Sequence, residues 1–94
     1  MSASAYTAGR RDALDAVYAA LAGRGETLAA WARRRDHAIE AAYKAVARYA
    51  GRPDARPRGL DTLLILHDLR ADLAEQAPDT AALLPAVPGL RVVR

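Results

Sequence analysis

The stretch from residue 26 to residue 50, ETLAAWARRRDHAIEAAYKAVARYA, decides the fold. Its apolar side chains recur at alternating steps of four and three residues, which is the spacing of one face of an α-helix. We therefore predict a single uninterrupted helix from Glu26 to Ala50, with Arg35 as the one charged side chain on its inward face. That face consists of Leu28, Ala32, Arg35, Ile39, Ala42, Val46 and Tyr49.

The three consecutive arginines of this helix cannot share one face, because neighbouring helical residues point about 100° apart. Arg33 and Arg34 are predicted to lie in water, while Arg35 points inward. Three interpretations of Arg35 stay open. Its aliphatic stem crosses apolar surface so that the guanidinium reaches water, it pairs with Asp68 or Asp72 of a neighbouring helix, or it binds a ligand.

Two further long helices are predicted on either side. The first runs from about Ser4 to Ala22, and the GRG motif at 23–25 ends it because glycine adopts the left-handed conformation at little cost. A loop with two prolines and two terminal glycines occupies residues 51–59. The third long helix follows from about Asp61 to Gln76, since its leucines repeat at helical spacing.

The end of the chain carries a short helix and a tail. Pro78 ends the third helix, and Asp79 is placed to cap a fourth helix that reaches Leu84. The apolar LRVVR segment at 90–94 is predicted to be extended. The chain is therefore predicted to be all-α, with one helical domain over residues 1–94. Its architecture is a small bundle of three main helices plus a short fourth helix and an extended C-terminal tail.

Composition limits the chemistry and the compartment. The chain has no cysteine, which excludes disulfides, thiolate metal sites and thiol catalysis. The N-terminal residues lack a continuous apolar core, and the longest strongly apolar run is LLIL at 63–66. A signal peptide and a membrane span are therefore not expected, and we predict a cytoplasmic protein without membrane association.

Charge is segregated along the chain. The net charge is +3, and arginine supplies 13 of the 14 basic residues. Residues 31–58 carry eight basic and three acidic side chains, whereas residues 59–79 carry one basic and five acidic side chains. Such segments neutralise each other when they pack side by side, in one chain or between two copies. The pattern therefore favours a homodimer over a nucleic-acid surface of a single sign.

Nucleic-acid binding is the alternative interpretation of the same arginines. The guanidinium group matches the geometry of phosphate, and its charge supports sequence-independent contact with RNA or DNA. Base stacking against Tyr43 or Tyr49 belongs to the same hypothesis. The residues predicted to make these contacts are Arg33, Arg34, Arg48, Arg52, Arg56 and Arg58.

The two histidines raise the question of a metal site. His37 precedes Glu40 by one helical turn, and His67 adjoins Asp68. Metal-binding bundles use several inward glutamates and the order Glu-x-x-His, whereas this chain has the reverse order and too few acids. We predict neither a metal ion nor another cofactor.

Catalytic groups are scarce. Serine and threonine side chains lie near the predicted helix ends, where capping explains them. Asp68, Asp72 and Glu75 could supply paired carboxylates for acid–base chemistry, but their spacing predicts a solvated flank of the third helix. We therefore assign no catalytic residue.

The middle of the chain resembles the HEPN family of small helical bundles. Residues 34–51, RRDHAIEAAYKAVARYAG, are followed by a Pro/Gly/Arg loop and a leucine-rich helix that opens GLDTLLIL. Family members often carry an A-Y-K-A-L-like run on a central helix, which residues 42–46 match. Many open the next helix with a Thr-His-Asp-Leu-like sequence, of which Asp61 matches while Leu60 replaces the histidine. The chain is also one full helix shorter than the usual family bundle.

The resemblance does not extend to the RNase signature of the family. HEPN RNases carry an arginine and a histidine with four to six residues between them. Here Arg33 and His37 are separated by three residues, and Arg58 and His67 by eight. The resemblance therefore implies the non-catalytic branch, whose members bind a nucleotidyltransferase partner or a small ligand between helices.

These observations give a ranked set of expected functions. The first is a non-catalytic binding or assembly module that homodimerises, or binds a protein partner or small ligand, in the groove between the second and third predicted helices. Arg35, Tyr43 and His67 are expected to line that groove. The alternative is a small basic RNA- or DNA-associated protein, and the third choice is a metal-independent RNase.

Overall fold

Helices make up the regular structure of residues 3–87, which the computed structural model describes, with side chains described from residue 11 onward. The described part contains no strand. Helix α4 packs against α3 and α5, and α1 packs against α2 and α5. The predicted all-α bundle is confirmed, while the tail predicted at 90–94 lies outside the described residues. The helices are α1 (Ala3–Ala22), α2 (Leu28–Arg34), α3 (Ile39–Tyr49), α4 (Leu60–Ala74) and α5 (Pro78–Ala81).

One hydrophobic cluster joins the five helices. Trp31 of α2 is its largest fully buried side chain, and three leucines of α4, Leu66, Leu69 and Leu73, lie in the same cluster. None of the helices between residues 3 and 87 has the length and apolarity that a bilayer crossing requires. The buried side chains with the largest volumes are Trp31, Leu21, Leu28, Ile65, Leu66, Leu69, Leu73 and Leu84.

The prediction of one continuous helix over residues 26–50 is wrong. Helix α2 ends at Arg34, and α3 begins only at Ile39. Between them Asp36 has a φ angle of 62°, in the left-handed region that residues other than glycine, asparagine and aspartate rarely adopt. The chain therefore turns sharply at the run of arginines.

Backbone hydrogen bonds show what ends α2. The Asp36 N–H donates to the Arg33 carbonyl over 3.1 Å, and the His37 N–H donates to the Ala32 carbonyl over 2.8 Å. These two bonds form a Schellman motif, which satisfies carbonyls that a helix end leaves unpaired. Aspartate serves here in the position that glycine usually fills, and Gly25, with a φ angle of 74°, fills it at the end of α1 as predicted.

The predicted inward face survives the interruption. In both α2 and α3, the residues that the spacing assigns to the inward face still point toward the core. Leu28, Ala32, Ala42 and Val46 are buried, and Arg35, Ile39 and Tyr49 are half-buried.

The short last helix differs from its prediction. It begins at Pro78 without a side-chain cap, so the predicted capping role of Asp79 is wrong. Proline is favoured at the first helical position because its fixed φ suits a helix and it has no N–H to satisfy. The helix ends at Ala81 rather than Leu84.

The left-handed turn makes a specific prediction about position 36. Asp36→Val is expected to lower the free energy of unfolding by about 1–2 kcal/mol, because a β-branched residue is strained at positive φ. Asp36→Gly is the matched control, since it removes the same carboxylate but adopts this conformation freely. Urea unfolding followed by far-UV circular dichroism measures both, and equal stabilities of the two variants would contradict the turn.

Candidate functional site

A buried carboxylate organises the polar side chains between α2, α4 and the turn that joins α2 to α3. Asp68 of α4 is only 6% exposed. Its Oδ1 atom lies 3.2 Å from Arg35 Nη2 and 3.2 Å from His67 Nδ1, and its Oδ2 atom lies 2.9 Å from His37 Nε2. The prediction that Asp68 lies on a solvated flank is therefore wrong, because these three basic groups compensate its burial.

The turn at Asp36 explains why two of these groups reach the same carboxylate. In a continuous helix Arg35 and His37 would point about 200° apart, toward opposite faces. The left-handed residue between them brings both side chains to Asp68. The constellation could not be read from helical periodicity for this reason.

A second carboxylate lies one turn further along α4. Asp72 Oδ2 accepts a hydrogen bond from Trp31 Nε1 over 2.8 Å and lies 3.4 Å from Arg35 Nε. The Arg35 Nε contact has ion-pair distance but not hydrogen-bond geometry, although the atom is buried. Arg35 thus bridges Asp68 and Asp72, which is the pairing with a neighbouring helix that was one of its three predicted interpretations.

The Trp31 ring also supports the cluster. It stacks on the His37 imidazole with 5.6 Å between ring centroids. The tryptophan therefore fixes one histidine and one carboxylate while its own ring fills the core. Nothing in the sequence pattern beyond an apolar helix position signalled this double role.

Arg34 is paired as well. Its Nε and Nη2 atoms donate to the two oxygens of Glu26 over 3.0 and 2.9 Å. The hydrogen bond from Arg34 lowers the pKa of Glu26 below its ordinary value, and it outweighs the partial burial that acts in the opposite direction. Arg34 was predicted as a nucleic-acid contact, but the structure commits its guanidinium to a carboxylate of the same chain.

The protonation of Asp68 follows from its neighbours. Burial by itself raises the pKa of this carboxyl group, but the hydrogen bonds with His37 and His67 and the charge of Arg35 lower it further than burial raises it. The net pKa lies below the ordinary value. Asp68 is therefore an ionised anchor at neutral pH, suited to orienting histidine rings rather than to exchanging protons.

The three residues predicted to line one groove do not meet in one place. Arg35 and His67 share Asp68, whereas Tyr43 is 40% exposed and its ring lies 6.3 Å from the ring of Tyr18 on α1. Arg35 is also engaged by two carboxylates. The space assigned between the second and third predicted helices is thus filled at Arg35 by ion pairs.

The basic residues that follow the turn are arranged differently. Lys44 and Arg48 lie exposed on α3, and the loop after it exposes Arg52, Arg56 and Arg58. In residues 11–87, where side chains are described, these five groups form no ion pair, in contrast to Arg34 and Arg35. We call these five residues the cationic face.

An aromatic ring lies within the cationic face. The guanidinium carbons of Arg48 and Arg52 each lie 5.9 Å from the centroid of the Tyr49 ring, at cation–π distance. A cavity of about 350 Å³ adjoins this point and is lined by residues 51–55. The structure therefore brings together two of the six arginines predicted for nucleic acid, Arg48 and Arg52, at one aromatic ring. Of the other four, Arg56 and Arg58 lie exposed in the loop, Arg33 lies exposed on α2, and Arg34 is paired.

The histidines and acids of this cluster were also considered as metal ligands. Within the part of the chain that the structure describes, no three side chains of histidine, cysteine, aspartate or glutamate are grouped as metal ligands would be. His37 and His67 both direct a ring nitrogen at Asp68. Comparison of the chain with protein-family models, with curated proteins and with solved structures found no match.

Proposed function

We propose that this protein is a non-catalytic module that binds single-stranded nucleic acid through the cationic face. One observation carries the proposal: ion pairing inside the chain uses Arg24, Arg34 and Arg35, and it leaves the five basic side chains of α3 and the loop after it without an acidic partner in the described part. Residues 39–59 hold five basic side chains and only two acidic ones. Such a surface attracts phosphate groups independently of base sequence.

The spacing of the cationic face suits a strand that runs along α3. Lys44 and Arg48 are four residues apart on α3, which is about 6 Å along the helix axis. Arg52 follows the end of α3 and lies at the same Tyr49 ring as Arg48. Arginine contacts phosphate oxygens with two parallel hydrogen bonds. The ring of Tyr49 is half-buried and flanked by two of these guanidiniums, and its solvent-accessible part offers a stacking partner for an unpaired base.

Fluorescence anisotropy with a labelled single-stranded oligouridine tests the proposal. We expect affinity to fall steeply with salt, because each phosphate contact contributes about 0.7 to the slope of log K against log salt for single strands. Arg48→Gln combined with Arg52→Gln should weaken binding and reduce the magnitude of that slope by about 1.4.

The matched control for this experiment is Arg24→Gln combined with Arg34→Gln. It removes the same two charges, but from arginines that already contact Glu26. We expect this control to retain the wild-type salt slope. Absence of binding at low salt, or an equal loss in both double variants, would overturn the proposal.

Assembly with a second copy or with a protein partner remains the other prediction, and the HEPN resemblance supports it. The charge argument for a homodimer is weaker in the folded chain, because Arg35 already pairs with Asp68 and Asp72 of the acidic segment. Light scattering at high micromolar concentration measures this directly. A particle of twice the chain mass supports the dimer, and a monomer contradicts it.

A further inference from the structure

A second cavity lies apart from the cationic face, between α4 and the segment that follows α5. Its volume is about 280 Å³, close to the lower size of small-molecule sites. Two of its lining side chains are basic and the other four are small and apolar, and no acid lines it. The lining residues are His67, Arg70, Ala71, Ala74, Ala86 and Val87.

Each of the two basic side chains of this cavity has one polar contact inside the protein. Asp68 Oδ1 lies 3.2 Å from His67 Nδ1, which fixes the imidazole and leaves Nε2 as its other polar atom. Arg70 Nε donates to the Leu84 carbonyl over 3.2 Å, which leaves the two terminal NH₂ groups of the guanidinium for another acceptor. Residues three apart on a helix are neighbours on one side, and both side chains line this cavity.

The remaining polar atoms, His67 Nε2 and the terminal NH₂ groups of Arg70, favour an anion as the ligand. A guanidinium presents paired N–H donors that match phosphate oxygens, and an imidazole held by a carboxylate donates from its other nitrogen when it is protonated. The side chain of His67 is 38% exposed, so a ligand reaches it without rearrangement. Alanine and valine side chains form the rest of the wall, where an apolar part of the ligand would lie.

We propose that this cavity binds a small organic phosphate monoester, with Arg70 and His67 Nε2 as donors to its phosphate oxygens. The proposal goes beyond the nucleic-acid function, because it rests on different residues on a different helix. It requires no chemical step, and it assigns His67 a binding role outside the groove predicted from the sequence.

Nuclear magnetic resonance of the full chain tests the proposal with phenyl phosphate and inorganic phosphate as probes. The chain contains two histidines, and both lie against Asp68, but only His67 lines the cavity. We expect phenyl phosphate to shift the ring signals of His67 saturably and more strongly than those of His37. Phenyl phosphate should bind several times more tightly than inorganic phosphate, since its ring covers the apolar wall.

A substitution that fills the cavity separates binding from folding. Ala71→Leu should weaken phenyl phosphate binding at least tenfold while leaving His67 and Arg70 in place, and Ala30→Leu is the control because Ala30 is exposed on α2 and does not line the cavity. Arg70→Gln should also abolish binding, with circular dichroism to verify the fold.

The outcomes distinguish this site from the nucleic-acid surface. Ala71→Leu is expected to bind oligouridine as the wild type does, so either proposal can fail alone. The cavity proposal is overturned if His67 shows no saturable shift, if His37 and His67 shift equally, or if Ala71→Leu binds phenyl phosphate like the wild type.

Discussion

Trp31→Ala is expected to lower the free energy of unfolding by about 3–5 kcal/mol, the usual cost of truncating a buried aromatic side chain. The ring is fully buried, its Nε1–H donates to Asp72, and its face stacks on His37. A small domain has about 5–15 kcal/mol of stability in total, so the variant loses much of it. Thermal unfolding followed by far-UV circular dichroism should show a fall in Tm of about 15 °C or more.

Two controls separate the contributions of Trp31. Trp31→Phe keeps most of the ring but removes the N–H that Asp72 accepts, and we expect it to cost about 1–3 kcal/mol. Tyr43→Ala removes a ring that is 40% exposed and should cost less than Trp31→Ala. A Trp31→Ala variant that melts within a few degrees of the wild type would contradict the central position of this residue.

The helices and their inward faces could be predicted because many residues carry each periodic pattern. The interruption after Arg34 could not, since it depends on one aspartate that adopts a left-handed conformation. The usual signals of a new helix are also absent, because Ala38 at the start of α3 provides no side-chain cap. Because the helical spacing of apolar residues continues across the turn, the spacing predicts one helix where there are two.

The same turn limits what could be predicted of the polar residues. The inward direction of Arg35 and its pairing with Asp68 or Asp72 were among the sequence-based interpretations, because the spacing alone placed it on the inner face. The contact of His37 with Asp68 was not, since it exists only when residue 36 reverses the helical direction. The position of Arg34 depends on Glu26, eight residues earlier, which the end of α1 brings within reach.

Asp68→Ala should be comparably destabilising, by about 3–5 kcal/mol, because it leaves Arg35 and His37 partly buried beside the place of the lost carboxylate. Replacing the anion removes the partner of three basic groups at once. Urea unfolding at neutral pH measures the loss. Glu75→Gln is the matched control, since this exposed acid directly after α4 forms no ion pair in the described residues, and we expect a change within about 0.5 kcal/mol.

The pH dependence of that loss tests its electrostatic origin. The pKa of Asp68 is lower in the folded chain than in the unfolded chain, where it is about 3.9. The ionised carboxylate therefore contributes its full stability above the unfolded pKa. This contribution disappears as the pH falls through the lower folded pKa. Asp68→Asn keeps the size of the side chain but cannot ionise. The stability difference between the wild type and Asp68→Asn should therefore shrink as the pH falls below about 4. Other acids, including Glu26, titrate in both proteins and cancel in this difference. A difference that stayed constant from neutral to strongly acidic pH would mean that Asp68 stabilises the bundle through its shape, and not through the charge that Arg35 and the two histidines surround.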